Sequence, residues 1–85
     1  MKSEEIIAKI ERIINKELEI NTKNIKPNKT LLELGIDSIR FMTLVVYLEE
    51  EMSIEIDFMN GLEEEYSKNT IDTLVCLIRK EVEQQ

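Results

Sequence analysis

The sequence predicts a small all-α four-helix bundle: three long helices, one short one, and a long loop between the first two. Three observations carry this prediction. Two Gly and one Pro in 85 residues leave few places where the chain must turn. Apolar residues recur every three or four positions in three separate stretches, the spacing of one helix face. One short alternating stretch, Ile54–Glu55–Ile56–Asp57, suggests a strand, but no second strand candidate exists to pair with it. A chain of this length has room for one core, so residues 1–85 read as one domain. Folding would bury roughly 60–65% of the unfolded chain's surface, which implies modest stability and no large two-lobed cleft.

The first helix is expected over about 3–17, where Ile6, Ile7, Ile10, Ile13 and Ile14 share a face and Leu18 follows. Ser3 is a candidate N-cap, with Glu4 and Glu5 in the first turn where the helix dipole favours anions. From Glu19 to Ile36 the periodicity fails. Asn21, Asn24, Pro27, Asn28 and Gly35 are spread among Ile20, Ile25, Leu31, Leu32, Leu34 and Ile36, which reads as a long loop tacked down by apolar side chains. Thr30 with Glu33 is spaced to close a short helical turn. Asp37 or Ser38 caps the second helix, expected over about 37–52. A short helix is expected over about 61–66. Thr70 caps the last, over about 70–83, with Ile71, Leu74, Val75, Ile78 and Val82 on one face.

Composition removes several functions. The chain carries 11 basic and 18 acidic residues, net −7, a field that repels nucleic acid and anionic membranes and attracts a partner with a basic patch. Histidine is absent, so there is no Ser-His or Cys-His nucleophile pair and no zinc site of the usual ligand mix. One cysteine, Cys76, builds no intramolecular disulfide, which fits a reducing compartment. It falls about 140° from Ile71 on the last helix, off the core stripe. No apolar run approaches the about 20 residues that span a bilayer, and Met1–Lys2–Ser3–Glu4–Glu5 does not read as a signal peptide. The expectation is a cytoplasmic, monomeric protein that is not itself an enzyme.

The second helix carries two apolar stripes. At about 100° per residue, Phe41, Leu44, Val45, Leu48 and Met52 form one, the expected core face. Ile39, Met42 and Val46 form the other, about 100° to 160° round from Phe41. Either the short third helix covers this second stripe, or part of it stays exposed to dock a partner, with Glu49 and Glu50 as an acidic rim. Charge is uneven as well. Residues 1–30 hold 7 basic and 5 acidic groups, net +2, and residues 31–85 hold 4 and 13, net −9. That excess serves solubility or a docking field.

The run Leu34–Gly35–Ile36–Asp37–Ser38–Ile39 resembles the attachment motif of the acyl carrier and peptidyl carrier protein family. The family pattern is Leu-Gly-x-Asp-Ser-Leu/Ile, and its Ser is modified with 4′-phosphopantetheine. Thr30–Leu31–Leu32–Glu33, Leu48–Glu49–Glu50–Glu51–Met52, Ile54–Glu55–Ile56 and Thr70–Ile71–Asp72–Thr73–Leu74 also fall where the family has equivalents, so the similarity covers most of the chain. The resemblance implies that Ser38 receives phosphopantetheine from coenzyme A through a transferase using Mg²⁺. The cofactor's thiol would then carry an acyl or aminoacyl thioester between cargo-loading and processing enzymes. Asp37 would cap the helix or help position the transferase's metal or basic groups, and Gly35 would allow close approach. Ile39, Met42, Val46, Glu49 and Glu50 would face the partner enzymes, with Ile56 adding an apolar contact.

The chain also departs from the fatty-acid carriers, which usually have an acid where this chain has Arg40 and often another where it has Thr43. Ile39 with Arg40 looks more like peptidyl carriers, whereas Glu49–Glu50–Glu51 looks like the fatty-acid and polyketide type. The expectation is a free-standing carrier of nonribosomal peptide or polyketide-type metabolism. The alternatives are a primary fatty-acid carrier and, from another class, an acidic helical adaptor in which Ser38 is only a cap. A hydrolase using Ser38 is disfavoured by the missing His.

Overall fold

A computed structural model of the chain describes residues 2–56 and 66–84. Among them are three α-helices, α1 (Ser3–Glu17), α2 (Ser38–Met52) and α3 (Ile71–Glu83), and a 3-10 turn at Tyr66–Lys68. Of the short helix expected at 61–66, residues 61–65 lie outside the described residues, and Tyr66 opens the 3-10 turn. The described part is therefore an all-helical fold, with an isolated antiparallel bridge between Thr30 and Thr70 and no strand.

α1 buries Ile6, Ile10, Ile13 and Ile14, as its period requires, and packs against both α2 and α3. Its start differs from the sequence expectation. Lys2 holds the cap position in extended backbone, and the Glu5 carboxylate accepts the Lys2 N–H at 3.4 Å. Ser3 is the first helical residue, and its hydroxyl accepts from Arg79 of α3 at 3.3 Å. With Glu5 serving the backbone at the helix entrance, the hydroxyl is free for this link between the two ends of the chain.

The 18–37 connection is fastened at both sides. On α1, Asn15 accepts the Thr22 N–H at 2.8 Å and Glu11 accepts the Ile25 N–H at 3.3 Å. Towards α3, the Leu31 N–H bonds the Asn69 carbonyl at 2.9 Å, and the Ile71 and Asp72 N–H groups bond the Lys29 and Pro27 carbonyls at 2.9 and 2.8 Å. Ile25, Leu31 and Ile36 are buried anchors, and Ile20 and Leu34 are half-buried. Leu32 breaks the expectation of an anchored loop, for it is 67% exposed.

α2 contributes Phe41, Leu44, Val45 and Leu48 to the core. The Phe41 ring meets Tyr66 with centroids 4.9 Å apart, which seats the 3-10 turn on α2. α2 stops at Ser53, whose φ of 55° is left-handed, and the Ser53 and Ile54 N–H groups both bond the Glu49 carbonyl. Glu51 pairs with Arg12 and, at 3.8 Å, with Lys9 of α1. The Glu17 carboxylate beside it, and to a lesser degree burial and Glu50, push the Tyr47 phenol above the ordinary tyrosine range. α3 is capped by Thr70, whose hydroxyl accepts the Thr73 N–H at 3.1 Å. Cys76 is exposed on it. No helix among the described residues is long and apolar enough to cross a membrane.

Candidate functional site: the start of the second helix

The site is built from the turn at 30–36 and the first turn of α2. Thr30 and Glu33 close the first of these reciprocally. Glu33 accepts the Thr30 N–H at 3.0 Å and the Thr30 hydroxyl at 3.1 Å, while the Glu33 N–H bonds the Thr30 hydroxyl at 3.1 Å. These bonds, Thr30 N–H first, and the Lys29 ammonium hold the Glu33 carboxyl below the ordinary glutamate range. The turn ends at Gly35, whose φ of +82° is what makes glycine fit there. A Cβ at that position would meet nothing within 4 Å, so the constraint is backbone conformation and not space.

Asp37, in extended backbone, is the cap of α2. Its Oδ1 accepts the Arg40 N–H at 2.8 Å, and its Oδ2 lies 3.3 Å from Arg40 Nη1. The cap role left open between Asp37 and Ser38 thus goes to Asp37. A carboxylate there accepts the Arg40 N–H and brings a full negative charge to the positive end of the helix dipole. Ser38 becomes the first helical residue. It is exposed, and its hydroxyl makes no hydrogen bond among the described residues. The N–H groups of Ser38 and Ile39 likewise meet no acceptor among those residues. An exposed hydroxyl beside two open N–H groups at the start of a 15-residue helix suits an esterified anion, since the helix end stabilises the charge and nothing must be displaced.

Of the other residues singled out in the sequence, Ile39, Met42 and Val46 are 79%, 45% and 48% exposed. With Thr43, Tyr47 and Glu50, the last two of these line a shallow open depression on the outer face of α2. Glu50 is exposed. Two other positions are corrected. Ile56 is only 5% exposed and belongs to the core, so it offers no outward apolar contact. The Glu49 carboxylate accepts the Ile56 N–H at 2.9 Å, so this acid holds the post-helical segment in and is half-buried rather than a free rim charge. Sequence reasoning also missed Leu32. Its signal was the turn itself: with Thr30–Glu33 closing a helical turn, Leu31 and Leu34 share one face and Leu32 points about 100° away.

Comparisons with known proteins agree with this geometry. The family model described as "Phosphopantetheine attachment site" matches residues 8–75. An acyl carrier protein from Myxococcus xanthus is 39% identical over 54 residues, covering 62% of this chain and 68% of its own length. One from Arthrobacter sp. is 40% identical over 55 residues, covering 64% and 68%. The crystal structure of an acyl carrier protein from Thermotoga maritima superposes with a TM-score of 0.85 at 25% identity, covering 99% of this chain and 94% of that one. A match over most of the chain, on a fold that leaves a helix-start serine bare, places this protein in the phosphopantetheine-binding acyl carrier protein family, with 4′-phosphopantetheine as its covalent cofactor.

Proposed function

We propose that Ser38 is the attachment residue, and that the chain is a non-catalytic, monomeric, cytoplasmic carrier of acyl or aminoacyl groups in nonribosomal peptide or polyketide-type metabolism. The observation that carries the attachment reading is the division of labour at the helix start. Asp37 takes the cap, and the Ser38 hydroxyl is left exposed and unbonded among the described residues. The cofactor supplies a thiol at the end of a flexible arm, on which cargo rides as a thioester. Ser38 cannot activate itself. The sequence has no His, and both oxygens of the adjacent Asp37 are engaged by Arg40. A transferase must therefore bring the base that takes the Ser38 proton, along with the Mg²⁺. The N–H groups of Ser38 and Ile39 and the helix dipole then hold the negative charge at the link.

The electrostatics of α2 support the specialised pathway over fatty-acid synthesis. Its first turn holds no acid and presents Arg40. Of the Glu49–Glu50–Glu51 run, Glu49 is spent on the Ile56 N–H and Glu51 on Arg12 and Lys9. Of that run only Glu50 makes neither an ion pair nor a backbone hydrogen bond among the described residues, so α2 itself offers few free acids to a partner's basic docking patch.

The test is intact mass after incubation with coenzyme A, Mg²⁺ and a broad-specificity phosphopantetheinyl transferase. Wild type should gain one phosphopantetheine and Ser38→Ala none. No gain would favour the adaptor, whose binding Ser38→Ala would spare. For the pathway, the loaded protein should accept amino acids from adenylating enzymes better than malonyl groups from a fatty-acid transacylase; the reverse preference would assign it to fatty-acid synthesis.

A further inference from the structure

We infer that the outer face of α2 is a resting place for the chain's own loaded arm, with Glu50 pairing the α-ammonium of an aminoacyl cargo at the rim of the Met42–Val46 depression. The inference rests on Ser38 being the attachment residue, and it deepens the aminoacyl reading of the cargo.

Ser38, Met42, Val46 and Glu50 fall on one row of α2, each four residues from the last. Such a row climbs the helix nearly straight, gaining ~6 Å and turning ~40° per step. Glu50 therefore stands about 18 Å along the axis from Ser38. A phosphopantetheine arm is as long as about five extended residues, roughly 17 Å from phosphorus to sulfur. Laid along the row, it brings its thiol between Val46 and Glu50, and the first atoms of the cargo reach Glu50.

The row offers both halves of an amino-acid site. Met42 and Val46 are about half exposed, and with Thr43, Tyr47 and Glu50 they line the depression. It holds about 340 Å³, at the small end of the roughly 300–1,000 Å³ of ligand sites, which suits one amino acid and not a long chain. The Thr43 hydroxyl donates to the Ile39 carbonyl at 3.1 Å, so its proton is already used. Glu50 is the charge at the rim. Among the described residues that line the depression none is a cation, and Lys9 and Arg12 of α1 are taken by Glu51. Glu17, beside Tyr47, adds a second negative charge on that side. An α-ammonium next to the thioester carbonyl matches this field, whereas a plain acyl group leaves Glu50 unpaired. An exposed ion pair is weak alone. Tethering makes it count, because a short flexible arm keeps its cargo at an effective concentration on the order of millimolar. A cation on a separate molecule lacks that advantage.

The experiment loads the full chain from valyl-coenzyme A or isovaleryl-coenzyme A, cargoes that differ only in the amino group, using a broad-specificity transferase and Mg²⁺. NMR shifts are then compared in wild type and Glu50→Gln. The valyl arm should move Met42, Val46 and Tyr47 in wild type, and the isovaleryl arm should move them less. In Glu50→Gln the two cargoes should give the same pattern. The valyl amine should also titrate about half a unit lower in Glu50→Gln than in wild type, since a nearby carboxylate favours the ammonium. The thermal midpoint should not change, because Glu50 is exposed. Wild type that takes up no arm overturns the attachment reading itself. Loaded wild type in which the two cargoes move the same residues equally, or move none, overturns this inference alone. So does a valyl arm that moves the buried Phe41 and Leu44 instead, or an amine that titrates alike in both chains.

Discussion

Along α2, Phe41, Leu44, Val45 and Leu48 are closed off from solvent, whereas Ile39, Met42 and Val46, interleaved with them at helical spacing, stand in it. The residue types are similar, and only the azimuth differs. α1 and α3 each concentrate their buried residues on one face, and their solvent sides are mainly polar. α2 holds a second apolar face that its own core does not use. The lesson is that apolar content beyond what the bundle requires sets α2 apart from its neighbours as the helix with surface left to cover.

Replacing one residue on each face should give the largest contrast. Leu44→Ala should lower unfolding free energy by about 2–5 kcal/mol in urea titration, since a fully buried leucine leaves a cavity. Val46→Ala should stay within about 0.5 kcal/mol of wild type. Equal losses would erase the distinction between the faces. Next comes the helix start that orients both stripes: Asp37→Ala should cost about 1 kcal/mol and Asp37→Ser, which keeps a capping oxygen, clearly less. At the other end, Ser53 adopts a left-handed conformation. Ser53→Gly should therefore raise stability by up to about 1 kcal/mol without touching either face. The smallest effect concerns the exposed turn. Glu33 has a lowered folded pKa, so its stabilisation is present above the unfolded value and is lost as pH falls through the folded one. The stability difference between wild type and Glu33→Gln should be flat at neutral pH and shrink on acidification; a difference that grows in acid would contradict the Thr30–Glu33 lock.

Helix periods and the Thr70 cap were legible because they are local, whereas the cap of α1 falls on Lys2 and not Ser3, and the choice between Asp37 and Ser38 at α2 needed the structure. α1 begins and ends where the spacing of its isoleucines says, and α2 and α3 each start one residue past the expected bound because Asp37 and Thr70 are caps and not helical residues. Between helices the argument weakens. The alternation Ile54–Glu55–Ile56 says that the two isoleucines share a side, but not that this side is the core. That depends on Glu49 reaching across to the Ile56 N–H. Likewise Leu31 and Leu32 are equally apolar, and only the closed turn decides that one goes in and the other out. The acidic run 49–51 reads as one patch in the sequence, and tertiary pairing divides it among three different surroundings.

The backbone bonds that join Pro27, Lys29 and Leu31 to Asn69, Ile71 and Asp72 have a consequence for how the loop ahead of Ser38 opens. These amides are shared between the loop and the first turn of α3, so neither can exchange with solvent deuterium while the other remains in place. The loop ahead of Ser38 should therefore belong to the same cooperative unfolding unit as the C-terminal helix. Its slowest amides, Leu31, Ile71 and Asp72, should report the opening of that helix rather than the fraying of a surface segment. The ground beneath Ser38 is thereby as firm as the helix to which it is tied.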